Sequence, residues 1–585
     1  MEYTTHRLRF GNWRPQAIRS LACDSSLAYI AVGREDGDIE IFDCEVRICT
    51  QPIFRIPGQE NFQLRQILWK SSRLFGISLR GFIFECDLRS LTIKNVRDTY
   101  GGAAWCMTST SRTQNLAVGC DDGSCRLFST ENDSLEYQRT LPASGSRILS
   151  VAFHPSKPQL FMGGADGIIR CVDDVTGRNL FRMSANIAPG VPVHILCLHV
   201  LSDSTVISGD SQGNVQFWDG VMGVLTTTIH QHAAQILALA VDPSENFIFA
   251  SGVDTRVTCL RRVNGESKED EASDMHWVYT TSHRIHSHDV YSLAICQHRP
   301  GQETSTAWAS VNCPLSARHG PLLLSGGVDT KLCLYSVKDF SKYRPIHILP
   351  IPSKRILSTS ADGTMMALQH SHHIDIWRMN YIPVSQVEDH LNQTRRILAP
   401  VIPLDMTDET DKEEKSISLQ TEQRCFLLGT IQLKDPNNIV CTAISPCGSL
   451  LVASTVMGTR MWQLDILTAS RKIVELLQIT KVELPLQLNT HSTALCFSND
   501  GSSFAVATSK GVIWFADIHR SDGKAYVQLR DSLDHKDAVL SLAAVSKRDE
   551  SSSYAVTEMA FNSDSQWLGV STIQRRAWFY DIDRY

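Results

Sequence analysis

The segment GNVQFWDG, Gly213–Gly220, contains the one Trp-Asp pair in the chain, Trp218-Asp219. Two residues mean little alone, so their reading depends on whether the surrounding pattern recurs. It does: GREDGDIEIFD (33–43), GCDDGSCRLFS (119–129), GGADGIIRCVDD (163–174) and GGVDTKLCLYS (326–336) align on it. Each has a small-residue step, a polar turn with Asp, Asn or Gly, and an alternating run ending on an apolar or aromatic residue. That is strand, tight turn, strand.

The turn glycines Gly37, Gly81, Gly123, Gly167 and Gly213 recur at intervals of 44, 42, 44 and 46 residues. A period in the low-to-middle forties matches the four-stranded blade of a WD-repeat propeller. Upstream of the turns lie further hairpins, as in RILSVAFHPSKPQLFMGG and QILALAVDPSENFIFASG, while helical periodicity is nearly absent. Units fall at about 17–43, 65–88, 103–128, 147–173, 193–219, 235–260 and 288–337. Seven such units can close a ring. Four more follow, at 355–379, 438–464, 493–518 and 556–582.

The expectation is therefore an all-β chain of tandem WD-repeat β-propellers. The first is seven-bladed over residues 1–345, and the second, over 346–585, stops at four blades. A ring ending there would leave a sheet edge open, a liability proteins avoid. A shortened product is the favoured reading of that shortfall, and a partner that completes the surface is the other. The acidic stretches NGESKEDEASD (264–274) and PLDMTDETDKEEKS (403–416) read as disordered loops, the second within an insertion around 390–425. An irregular segment at 298–320 interrupts the seventh unit.

Composition narrows the function classes. At 585 residues the chain exceeds a single core, and 43% hydrophobic with 20% charged residues is ordinary for a globular protein. A net charge of −6, small for this length, argues neither for a nucleic-acid-coating protein nor for an acidic chaperone. The 17 cysteines include no C-x-x-C pair and sit mostly inside apolar runs, which implies a reducing compartment, cytoplasm or nucleus. No signal-like or membrane-spanning apolar run occurs. The N-terminal segment carries Arg7, Arg9, Arg14 and Arg19 against Glu2. It reads first as a solvated strand edge, and second as a contact to RNA or a partner.

No phosphate loop, nucleophile elbow or zinc spacing is present. His370, His372 and His373 come nearest to a metal signature. On a strand, however, His370 and His372 share one face and His373 the other, so a structural role is the better reading. The residues singled out are scaffold groups: turn aspartates Asp36, Asp122, Asp166, Asp254 and Asp329, and Ser208 with Trp218-Asp219 in the fifth unit. A buried line of His288, Ser325 and Asp329 with Tyr335 is expected in the seventh. In the fifth unit Gln212 holds the turn-Asp position. No catalytic, cofactor-binding or metal residue is assigned, and no membrane or small-molecule substrate is expected.

The order of particular units carries a resemblance. VGCDDGSCRLFS followed by SRILSVAFHPS, then TVISGDSQGNVQFWDG, LLLSGGVDTKLCLYS, HSHHIDIWRM and NNIVCTAISPCGSLLVASTV, resembles the cirhin family of small-subunit processome proteins. The resemblance runs from HRLRFGNWRPQAIRSLA at the N-terminus to the last strand. It implies two seven-bladed propellers, of which this chain lacks about three blades by its period. It also implies a nucleolar, non-catalytic scaffold in an early subcomplex that serves pre-rRNA transcription and processing and small-subunit biogenesis. The implied partners are other WD-repeat and scaffold subunits, and pre-ribosomal RNA, directly or through them. Because propellers host many functions, two other classes stay in view: a ubiquitin-ligase substrate receptor or vesicle-coat subunit, and, last, a propeller enzyme.

Overall fold

The recurring turn glycines adopt a backbone that side-chain-bearing residues avoid, with φ of 85° at Gly37, 81° at Gly123 and 86° at Gly213. Each turn joins two antiparallel strands, and repetition of the unit builds the fold. The structure is a computed structural model that describes residues 14–24, 29–43, 52, 54–59, 61–88, 90–142, 144–185, 192–264, 275–297, 321–350, 356–379, 425–434, 437–468, 475–521, 523–535, 556–572 and 577–582. The chain divides into two compact units, one of which is Arg14–Ser353.

Among its described residues this unit holds seven four-stranded antiparallel meanders. Their innermost strands are Ile18–Asp24, Leu64–Lys70, Ala104–Ser109, Ile148–Phe153, Ile195–Val200, Ile236–Val241 and Val290–Cys296. Adjacent inner strands are tied by bonds between sheets. Ser20 Oγ accepts from the Ile67 amide at 3.0 Å, Gln66 exchanges two bonds with the Met107 backbone, and Ser150 Oγ donates to the Ile195 carbonyl at 3.0 Å. The seventh sheet returns to the first, where the Leu21 amide donates to Ser292 Oγ at 2.9 Å. Ile18 and Leu21 share a core with Cys296 and Leu324. The ring is closed.

The small-residue step before each turn has a packing cause. A Cβ on Gly326 would lie 2.5 Å from Ile18 Cγ2, and Gly119, Gly163 and Gly209 meet Ile148, Ile195 and Ile236 in the same way. A glycine on the second strand of these four sheets thus admits the isoleucine that begins the next inner strand. The resulting interfaces are close-packed.

The second unit, Lys354–Tyr585, is an arc of three four-stranded sheets and a last sheet of three strands among the described residues. The innermost strands, Leu357–Thr359, Cys441–Ile444, Ser492–Phe497 and Val556–Phe561, line a cavity of about 540 Å³. On the last sheet Trp567 is 45% exposed and Phe579 71%, far more than their counterparts on inner sheets. The architecture is thus an all-β WD-repeat fold. No described helix is long and apolar enough to cross a membrane.

The expected boundary after residue 345 is corrected by pairing. Ile346–Ile348 forms the outer strand of the seventh sheet against Leu332–Leu334, so the first unit runs on to Ser353. Residues 264–274 and 390–425, read as disordered, lie outside the described residues except at their edges, where Asn264 and Cys425 are strand residues. Residues 298–320 lie outside them too.

Candidate functional site

The polar groups inside the sheets explain the singled-out residues. In the fifth sheet the Trp218 indole N–H donates to Ser208 Oγ at 2.9 Å, both side chains being buried. Asp219 faces solvent and accepts from the amides of Val221 (2.8 Å) and Met222 (3.1 Å), capping the outer hairpin. The turn that lacks an Asp at Gln212 is held by Asp210, which sequence reading missed. Its carboxylate accepts from the Gln212 and Asn214 amides and from Asn214 Nδ2. The signal was the polar Asp210 ending an otherwise apolar strand.

In the sixth sheet His232 joins Asp254 (3.0 Å) to Thr258 Oγ1 (2.9 Å). The seventh sheet has the same line, but its histidine is His286. Nδ1 lies 2.9 Å from Asp329, Nε2 lies 2.7 Å from Ser325 Oγ, and Ser325 meets the Tyr335 hydroxyl at 3.1 Å. His288 is exposed, so its assignment is corrected. The strand begins only at Val290, and the turn before it carries His288 out to solvent while His286 points inward. Burial works to raise the Asp254 and Asp329 carboxyls, yet the bonds and charge of His232 and His286 outweigh it and hold both below the usual carboxylate value.

The other turn aspartates use arginine. Asp122 pairs with Arg126 at 2.9 Å and Asp166 with Arg170 at 2.5 Å. Burial again works to raise both carboxyls, but hydrogen bonds prevail and both are lowered. Asp36 is the exception: burial and the adjacent Asp38 push it up to about 7. Among the described residues these groups form networks that join turns and strands within their sheets.

At the mouth of the first ring, where inner strands begin and the inner turns lie, arginines, acids and aromatic rings come together. Arg19 sits over the Tyr291 ring at 4.5 Å and pairs with Glu35 at 2.5 Å. Arg147 sits over Trp105 at 4.7 Å and pairs with Asp121, which also accepts the Trp105 indole N–H at 3.0 Å. Between them Arg65 donates its Nε–H to the Trp105 carbonyl at 3.0 Å. Arg14 is exposed, Arg19 is held between acid and ring rather than free at a strand edge, and Arg7 and Arg9 lie outside the described residues.

The histidine trio also departs from expectation. Only His373 lies on the strand His373–Met379. His370 is in the preceding turn, which folds it back so that its ring stacks on His373 with centroids 4.2 Å apart, and Nε2 lies 3.2 Å from Asp375. Strict strand alternation fails because a turn intervenes. Donor atoms of His370, His373 and Asp375 lie within 4.8 Å of one another. Rings stacked at 12° cannot both aim an in-plane lone pair at one ion, so this is a hydrogen-bonded stack.

The WD domain, G-beta repeat model matches residues 135–173 and 223–259. Over most of its length the chain aligns with proteins that share one name. It is similar to U3 small nucleolar RNA-associated protein 4. The mouse homologue is 28% identical over 89% of this chain and 68% of its own length, and the human homologue is 29% identical over 88% and 67%. The Saccharomyces cerevisiae protein of that name is 24% identical over 88% of this chain and 61% of its own. Similarity to these U3-associated proteins thus spans both units, whereas the repeat model touches only the third to sixth sheets of the first.

Proposed function

We propose that the chain is a non-catalytic scaffold subunit of the small-subunit processome in the nucleolus, needed for pre-rRNA transcription and processing and for small ribosomal subunit biogenesis. The single observation that carries this reading is alignment over 88–89% of the chain with relatives named U3 small nucleolar RNA-associated protein 4. A repeat shared only as a fold would align over a few blades. That is what a zebrafish guanine nucleotide-binding protein β subunit does, over 26% of the chain. The interior supports the reading: its buried polar groups are used to hold strands together. In this account the ring mouth and sheet rims bind other WD-repeat and scaffold subunits, and pre-ribosomal RNA is met directly or through them.

The test is crosslinking of the tagged chain in cells, with sequencing of attached RNA and identification of attached proteins. Pre-ribosomal RNA and processome subunits are the expected recovery. A cytoplasmic pool bound to ubiquitin-ligase or coat subunits, with neither of those, would overturn the proposal.

A further inference from the structure

We infer that the mouth of the first ring receives an acidic side chain of a protein partner, with Arg65 as the group that binds its carboxylate. The observation behind this is an unbalanced charge. Inward-drawn arginines of this unit are paired, as Arg34 is with Glu40, Arg73 with Glu85 and Arg126 with Asp122. Lys70, buried without a carboxylate, donates to three carbonyls instead. Arg65 has neither. Its Nε–H is used on Trp105, and its two terminal nitrogens have no acceptor among the described residues.

The surroundings aggravate this. Burial lowers the Arg65 pKa, and the like charge of Arg19 works in the same direction. Arg65 is only partly buried and lies over the Trp105 ring, yet no carboxylate among the described residues pairs with its charge, which leaves the guanidinium open to an incoming one. Arg65 lies within electrostatic range of Arg19 and Tyr291, on two other inner strands, and touches Trp105 on a third. Its free end is therefore at the ring's mouth, where an incoming group can reach it.

The rim selects the class of partner. Glu35 and Asp121, 48% and 41% exposed at the side chain, alternate with Arg19 and Arg147. An RNA strand would lay successive phosphates against those carboxylates. The faces of Tyr291 and Trp105 are already covered by guanidinium groups, so they offer no bare platform for base stacking. A polypeptide with one acidic residue among polar neighbours meets the opposite sign at Arg65 and mixed charge around it.

The inference rests on the scaffold reading, but the two fail separately, because its test uses the purified full chain and no pre-ribosome. A fluorescein-labelled Gly-Ser-Glu repeat peptide and a labelled oligouridylate of equal charge are titrated by anisotropy at low salt. Arg65→Gln should weaken the peptide at least about tenfold and Arg65→Glu abolish it, while Arg182→Gln, on an outer strand, changes it less than about twofold. Failure of the parent to bind the peptide, unchanged affinity in a folded Arg65→Gln, or preferential Arg65-dependent binding of the oligouridylate would each overturn the inference. Loss of processome recovery in cells, with peptide binding intact, would overturn only the scaffold reading.

Discussion

Trp218 on the third strand of the fifth sheet donates to Ser208 on the second, 2.9 Å away, with both side chains sealed from solvent. Ser208→Ala leaves the indole N–H unpaired and should cost about 1–2 kcal/mol, and Trp218→Phe, which also leaves a void, about 2–4 kcal/mol. Amide hydrogen exchange in Thr205–Asp210 of the full chain checks this. Unchanged protection in both variants would show the bond to be incidental.

His286 and His288 offer a clean comparison, two residues apart with opposite environments. His286→Ala strands the buried Asp329 and Ser325 and should destabilise the first unit by about 2–4 kcal/mol. His288→Ala, at an exposed position, should stay within about 0.5 kcal/mol. Melting of the two variants side by side decides between the assignments.

Ring closure rests on a glycine. Gly326→Ala places a methyl 2.5 Å from Ile18 Cγ2 and should cost about 1–3 kcal/mol through overpacking. Ile18→Ala in the same chain should recover part of that loss, so the double-mutant cycle shows coupling. Strict additivity of the two changes would place the strain elsewhere.

His535 gives the second unit a predictable acid sensitivity. It is fully buried, its Nδ1 is 2.8 Å from the Tyr580 hydroxyl, and desolvation pulls its pKa down to about 4. The native state therefore binds fewer protons than the unfolded one between about pH 4 and the ordinary histidine value near 6.5. Stability is full above that window and falls as pH drops through it, by about 1–2 kcal/mol from pH 7 to pH 5. His535→Phe should remove that slope. Hydrogen exchange in Ala577–Asp581, corrected for intrinsic rates, is the readout.

What could be read from residues alone followed burial. Inner strands such as Ile148–Phe153 are nearly all buried and announce themselves as apolar runs beside a turn glycine. Outer strands such as Glu136–Leu141 and Val224–His230 are mostly exposed. They carry no alternation to detect, which is why the units marked in the sequence, such as 17–43 and 288–337, stop short of the outer strand and the seventh sheet's last strand was placed across a boundary. Individual site residues failed for a related reason. His286 and His288, or His370 and His373, differ only in how a short turn directs them, and a turn has no fixed period.

The sequence by itself therefore determined the repeat, its period, the all-β class and the order of units, because these depend on local propensity and on glycine at positive φ. Tertiary structure alone decided which histidine enters the buried line and that Arg65 has no carboxylate partner among the described residues. Both depend on groups some forty residues apart or on the exit angle of a turn, and only the packing of strands brings those groups together.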